Sequence, residues 1–125
     1  MKSFIKIFGI VLSLSLFLTQ CKDDDTQIFR AYAEGKISFT DEKFLEDPIH
    51  LVKDKKIIAE TYPKESGSFV LAGPYDKGEY QLSLKRFKIK SFNTNVSGCK
   101  ISSDSLSIII PNGTTYIIFD NIQLK

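Results

Sequence analysis

Apolar residues fall along this chain in two regimes. Ile7 to Leu18 is an uncharged apolar run of a dozen residues, broken only by Gly9, Ser13 and Ser15 and preceded by Lys2 and Lys6. A helix spanning a bilayer takes about 20 apolar residues, so the run has the proportions of an export-signal h-region behind a short positive n-region. After residue 26 no segment sustains a helical period. Apolar positions there recur mostly at every second residue, the period of a half-buried strand.

Gly35 to Phe39 starts the folded part, with Lys36-Ile37-Ser38-Phe39-Thr40 alternating polar and apolar. Asp41 to Asp47 reads as an acidic loop closed by Asp47-Pro48, since the residue before proline is pushed away from helix. Ile49 to Val52 predicts a second strand with Ile49 and Leu51 on one face, Asp54-Lys55 a turn, and Ile57 to Tyr62 a third strand. Pro63 to Gly67 is turn-rich and Ser68 to Ala72 is β-prone, with Gly73-Pro74 and Lys77-Gly78 as punctuation. Tyr80, Leu82 and Leu84 point inward from the next strand. At Lys85-Arg86 the phase slips, which predicts a bulge or short turn before a strand over Phe87 to Phe92.

Asn93 to Asp104 reads mostly as a long loop with Val96 and Ile101 as apolar pins. Asn112-Gly113 is the preferred two-residue hairpin turn, because both residue types tolerate positive φ. In that register Ile110 faces Thr115, Ile108 faces Ile117 and Leu106 faces Phe119, while Ile122 and Leu124 shift phase near Asp120-Asn121. Seven or eight short strands with turns at this spacing predict an all-β fold, a single small antiparallel β-sandwich.

Charge narrows the function classes. Lys2 and Lys6 belong to the leader, leaving fifteen basic residues against fifteen acidic ones in residues 22–125. A near-neutral chain offers no electrostatic grip on nucleic acid, so none is expected as a partner.

The residues at the end of the apolar run resemble the lipobox of bacterial lipoproteins: Leu18, Thr19, Gln20 and Cys21. That resemblance implies signal cleavage between Gln20 and Cys21, a diacylglycerol thioether on the Cys21 sulfur and an acylated amino terminus. Gln20 departs from the small residue the family prefers there. Two or three acyl chains give durable anchoring where one gives only marginal binding. Lys22-Asp23-Asp24-Asp25 reads as a solvated linker; it also resembles the surface-export tag of some Gram-negative lipoproteins, which implies an outer-membrane, cell-surface address. The expected organisation is a signal peptide over 1–20, a lipidated cysteine and acidic linker over 21–33, and a β-sandwich over 34–125.

Lipid on Cys21 leaves Cys99 without a disulfide partner, and burial is the ordinary fate of such a thiol. Gly35-Lys36-Ile37, Pro48-Ile49-His50-Leu51-Val52, Gly67-Ser68-Phe69 and Gly78-Glu79-Tyr80-Gln81-Leu82 together resemble the transthyretin-like sandwich of carboxypeptidase regulatory-like domains. That resemblance covers residues 35 to 92 and implies a non-catalytic accessory or adhesive module.

Candidate chemistry is sparse. His50 stands alone, with no second histidine and no Cys or carboxylate at metal-ligand spacing, so no metal or other cofactor is expected. A Cys99–His50–acid nucleophile can be written, but nothing in the sequence joins its parts, and an enzyme is not expected. Asp41, Glu42, Glu46 and Asp47 fit a solvated turn better than a calcium loop. Two sets could form a binding face: the basic Arg86, Lys88 and Lys90, and the tyrosines Tyr62, Tyr75 and Tyr116, for a glycan or an envelope protein. Asp104-Ser105-Leu106 also resembles a bacterial O-glycosylation acceptor.

Overall fold

The computed structural model describes residues 29–125. The apolar leader, the Gln20–Cys21 cleavage site and Lys22 to Asp25 lie outside the described residues. Among the described residues nine strands run β1 (Arg30–Ser38), β2 (Ile49–Lys53), β3 (Lys56–Thr61), β4 (Ser68–Pro74), β5 (Tyr80–Ser83), β6 (Ile89–Thr94), β7 (Lys100–Ile101), β8 (Ser107–Ile110) and β9 (Tyr116–Leu124). They form a four-stranded sheet of order β4-β1-β9-β6 and a five-stranded sheet of order β3-β2-β5-β8-β7. The two sheets make the predicted all-β sandwich.

Alternation explains the layers. Ala31, Ala33, Ile37, Phe69, Leu71, Ile117, Phe119 and Ile122 bury from the four-stranded sheet, and Ile49, Leu51, Tyr80, Leu82, Ile108 and Ile110 bury from the other. Each such large apolar side chain favours folding by about 1.5–3 kcal/mol. All ladders are antiparallel except one: β1 runs parallel to β9. The phase shift near Asp120-Asn121 is real, because Gly35 pairs with Phe119 but Ile37 pairs with Ile122. One extra residue on β9 returns Ile122 to the core.

Several boundaries move. The first strand begins at Arg30, ahead of the expected Gly35, because Ala31 and Ala33 are small residues that bury completely. The acidic loop contains a 3₁₀ turn over Glu42–Glu46, with the Asp41 carboxylate accepting from the Lys43 N–H and Phe44 buried beneath. β4 runs on through Gly73 and ends at Pro74, two residues past the expected Ala72; proline is tolerated there because β4 is an edge strand. The slip at Lys85-Arg86 is the crossover from one sheet to the other, so the next strand starts at Ile89 instead of Phe87. Within the expected long loop, Lys100–Ile101 pairs with β8.

The Asn112-Gly113 hairpin is the clear correction. β8 pairs with β5 and β7, β9 pairs with β1 and β6, and the turn passes between sheets. Gly113 has φ +85°, but Asn112 does not share the positive φ that a two-residue hairpin needs at both positions. Its side chain is engaged elsewhere: Asn112 Oδ1 accepts the Gly78 N–H at 2.7 Å. Ile108, Ile110, Ile117 and Phe119 still bury, because facing one another across the core satisfies the alternation as well as flanking one another would. The true two-residue hairpin is at Asp54-Lys55, with φ of 51° and 65°.

Loops gather at two ends. One end holds Phe29, the β2–β3 tip, the β4–β5 loop and the β8–β9 turn, tied by Tyr75 N–H to Phe29 O and by Gly113 N–H to the Tyr75 hydroxyl. The other holds the 3₁₀ turn and the β5–β6 crossover, joined by Arg86 to Asp47, with the β7–β8 turn bonded to that crossover through Leu84 N–H to Leu106 O.

Candidate functional site

The outer face of the four-stranded sheet carries an aromatic pair. Parallel pairing of β1 and β9 sets Tyr32 beside Tyr116, and their rings stack with centroids 5.1 Å apart and planes 6° from parallel. The Tyr32 hydroxyl donates to Glu34 Oε2 and the Tyr116 hydroxyl to Glu34 Oε1, each at 3.0 Å. One carboxylate therefore fixes both rings. These hydrogen bonds to Glu34 are the main reason both phenols titrate above their ordinary value, since either phenolate would face a carboxylate. Ala72 flanks Tyr32 on β4 and Val70 flanks Glu34, extending the strip with exposed aliphatic surface.

This arrangement suits a ligand with several hydroxyl donors and an apolar face. Each Glu34 oxygen keeps acceptor capacity beyond its tyrosine, and the held rings offer contact area with no rotamer entropy left to lose. Tyr116 remains 49% exposed despite both restraints. Tyr32 and Glu34 were not singled out from the sequence. The signal lay in parity: Ala31 and Ala33 bury, so Tyr32 and Glu34 must face outward together.

The candidate tyrosines do not converge. Tyr62 is exposed, but it follows β3 at the edge of the other sheet. Tyr75 is only 4% exposed; its hydroxyl donates to Gly78 O at 2.6 Å and accepts from Gly113 N–H, and its ring packs on Tyr80 at 4.9 Å. It is a loop brace, with its hydroxyl already committed to two backbone partners. Burial, followed by the nearby Tyr75 and Cys99, pushes the Tyr80 phenol well above the usual range while its hydroxyl donates to Thr114 O.

The cations also separate. Arg86 Nε donates to Asp47 Oδ2 at 2.7 Å, with its guanidinium 5.5 Å from the Phe87 ring centre, so Arg86 serves an internal pair. Asp47 is buried and would otherwise be an uncompensated charge. Lys88 is exposed just before β6, and Lys90 is exposed on that strand, the free edge of its sheet. Lysines placed this way hinder edge-to-edge pairing with another chain.

His50 stands opposite Glu60 across the β2–β3 ladder, Nε2 to Oε2 2.7 Å. Cys99 is half-buried against the core, and burial raises its thiol pKa. It precedes β7, three strand positions from β2, about 14 Å at the usual strand spacing. The two residues cannot act as a nucleophile and base. Ser105 lies in the turn before β8 at φ 64°, half-buried, with its N–H bonded to Ser102 O. Among the described residues no three His, Cys, Asp or Glu side chains gather into a metal site.

An open cleft of about 690 Å³ occupies the Phe29 end, bordered by Lys53, Lys55, Lys77, Glu79 and Asn112. A second hollow of about 410 Å³ adjoins it beneath Phe29, Lys56 and Ile58. Comparison of the chain with protein-family models, with curated proteins and with solved structures finds no match to any of them.

Proposed function

We propose that this chain is an outer-membrane lipoprotein, held through lipid on Cys21 and carried to the cell surface where Lys22 to Asp25 serve as an export tag or facing the periplasm where they do not, whose transthyretin-like sandwich is a non-catalytic binding or accessory module of the envelope. The anchor reading rests on the leader and on Leu18 to Cys21. The single structural observation that supports a binding role is the exposed Tyr32–Tyr116 stack locked by Glu34. A fold with no further use for two surface aromatics has them held rigid and facing out, which is how a recognition surface is preorganised.

The same observation favours a second reading, a carbohydrate-binding accessory lipoprotein. Sugar hydroxyls match the spare acceptor positions of Glu34, and a pyranose face matches a tyrosine ring. A glycan array probed with the mature protein tests it. Binding to one polysaccharide class that Tyr116→Ala weakens at least about tenfold, the effect of losing about 1.4 kcal/mol, supports the sugar reading. No glycan binding, together with crosslinking from this face to a single envelope protein, supports the protein-partner reading. Wild-type binding retained by Tyr32→Ala and Tyr116→Ala variants removes the face from both.

A further inference from the structure

The loop end bearing Phe29 shows apolar and basic groups that the fold does not use. Phe29 is 62% exposed and Ile57 57% exposed beside the β2–β3 tip. Asp54 and Asp76 both face Lys53, at 3.1 and 3.7 Å. Lys55, Lys56 and Lys77 pair with no carboxylate among the described residues. Basic and apolar groups side by side are what the interface of an anionic bilayer binds: ammonium groups meet phosphates while aromatic and aliphatic side chains enter the headgroup boundary.

Chain length says which surface this end meets. Phe29 follows Cys21 by eight residues, a reach of about 28 Å at full extension. That is no longer than the nine-residue β9, which spans about 30 Å. The lysine-bearing end is therefore tethered within about 28 Å of the lipid, and the opposite end lies up to about 30 Å further along the fold. We propose that this end docks on the anionic headgroup surface of the membrane that holds Cys21, through Lys55, Lys56, Lys77, Phe29 and Ile57. The inference depends on the lipidation of Cys21 proposed above. Asp23 to Asp25 are repelled by the same surface, so contact falls to the fold rather than to the linker.

Amine-acylation footprinting of the mature lipoprotein tests the contact. The protein is placed in vesicles of phosphatidylethanolamine and phosphatidylglycerol, or of phosphatidylcholine alone, and labelling is read by mass spectrometry. On the anionic vesicles Lys55, Lys56 and Lys77 should react about fivefold more slowly than on the neutral ones, while Lys64 and Lys85 at the opposite end stay unchanged. High salt should erase the difference. Phe29→Gln with Ile57→Gln should reduce the protection while leaving the protein on the vesicles through Cys21. Equal labelling of the two ends on vesicle-bound, lipidated protein overturns the contact and leaves the anchor standing. Equal protection on both vesicle types also overturns it, pointing to cover by the acidic linker instead. An unlipidated Cys21 in the same mass spectra overturns the anchor and, with it, the contact.

Discussion

At the end of the sandwich remote from Phe29, aromatic rings and an ion pair close the core; at the Phe29 end, lysines border an open cleft. The closed end packs Phe44 against a tilted Phe39 and edge-to-face with Phe87, centroids 5.3 and 5.5 Å apart, and Arg86 pairs with Asp47 beside them. The open end is braced by polar links instead: the Tyr75 hydroxyl bridges Gly78 O and Gly113 N–H, and the Tyr80 hydroxyl holds Thr114 O. The difference teaches where each end's rigidity comes from. Aromatic packing fixes the first, which keeps only a hollow of about 380 Å³ beside Phe39 and Phe87; hydrogen bonds from tyrosines fix the second, which borders the wider cleft of about 690 Å³.

The largest expected contrast is at Phe44. Its removal as Phe44→Ala should cost about 3–5 kcal/mol in denaturant unfolding, the range for a buried phenylalanine. A loss under about 1 kcal/mol would mean that the closed end does not depend on its aromatic cluster.

Two glycines sharpen the comparison, because they share a positive φ and differ in surroundings. Gly67 and Gly113 have φ of 86° and 85°. A Cβ on Gly67 would lie 2.1 Å from Ile37 O, whereas one on Gly113 meets nothing within 4 Å. Gly113→Ala should cost the strain alone, about 1–2 kcal/mol, and Gly67→Ala distinctly more. Equal costs would show that the Gly67 turn yields as easily as the open end.

The smallest effect is a titration at both ends. Asp76 is held below its ordinary pKa first by the Lys77 N–H, aided by Lys53, and Asp104 first by the Ser102 hydroxyl, then by the Leu106 N–H. Both folded values are depressed, so their contribution to stability is present above the ordinary carboxylate pKa of about 3.9 and is lost as pH falls through the folded values. NMR titration should place both midpoints below 3.9, and Asp104→Asn should flatten the acid limb of the stability profile; midpoints at the ordinary value would contradict these turn contacts.

Much of the sandwich was legible in the sequence, because strand faces follow from parity. Tyr80, Leu82 and Leu84 point inward as the alternation requires, and the phase shift at Asp120-Asn121 is a bulge. What parity does not encode is the partner. Ile108 and Ile110 bury whether β9 lies beside β8 or across the core from it, so Asn112-Gly113 misled on connectivity while the buried set was right. The candidate site was less legible for the same reason. Tyr116 finds Tyr32 through a parallel ladder joining chain segments more than eighty residues apart, and Tyr75 turns inward to one bond within its own loop and one to the β8–β9 turn.

The central claim is that lipid on Cys21 ties this all-β module to the envelope, and intact-mass spectrometry of the membrane-extracted protein tests it most directly. The account predicts a mature chain beginning at Cys21 and heavier than its sequence by a diacylglycerol with or without a further acyl chain. A chain that begins elsewhere, or that begins at Cys21 with no added mass, would contradict it.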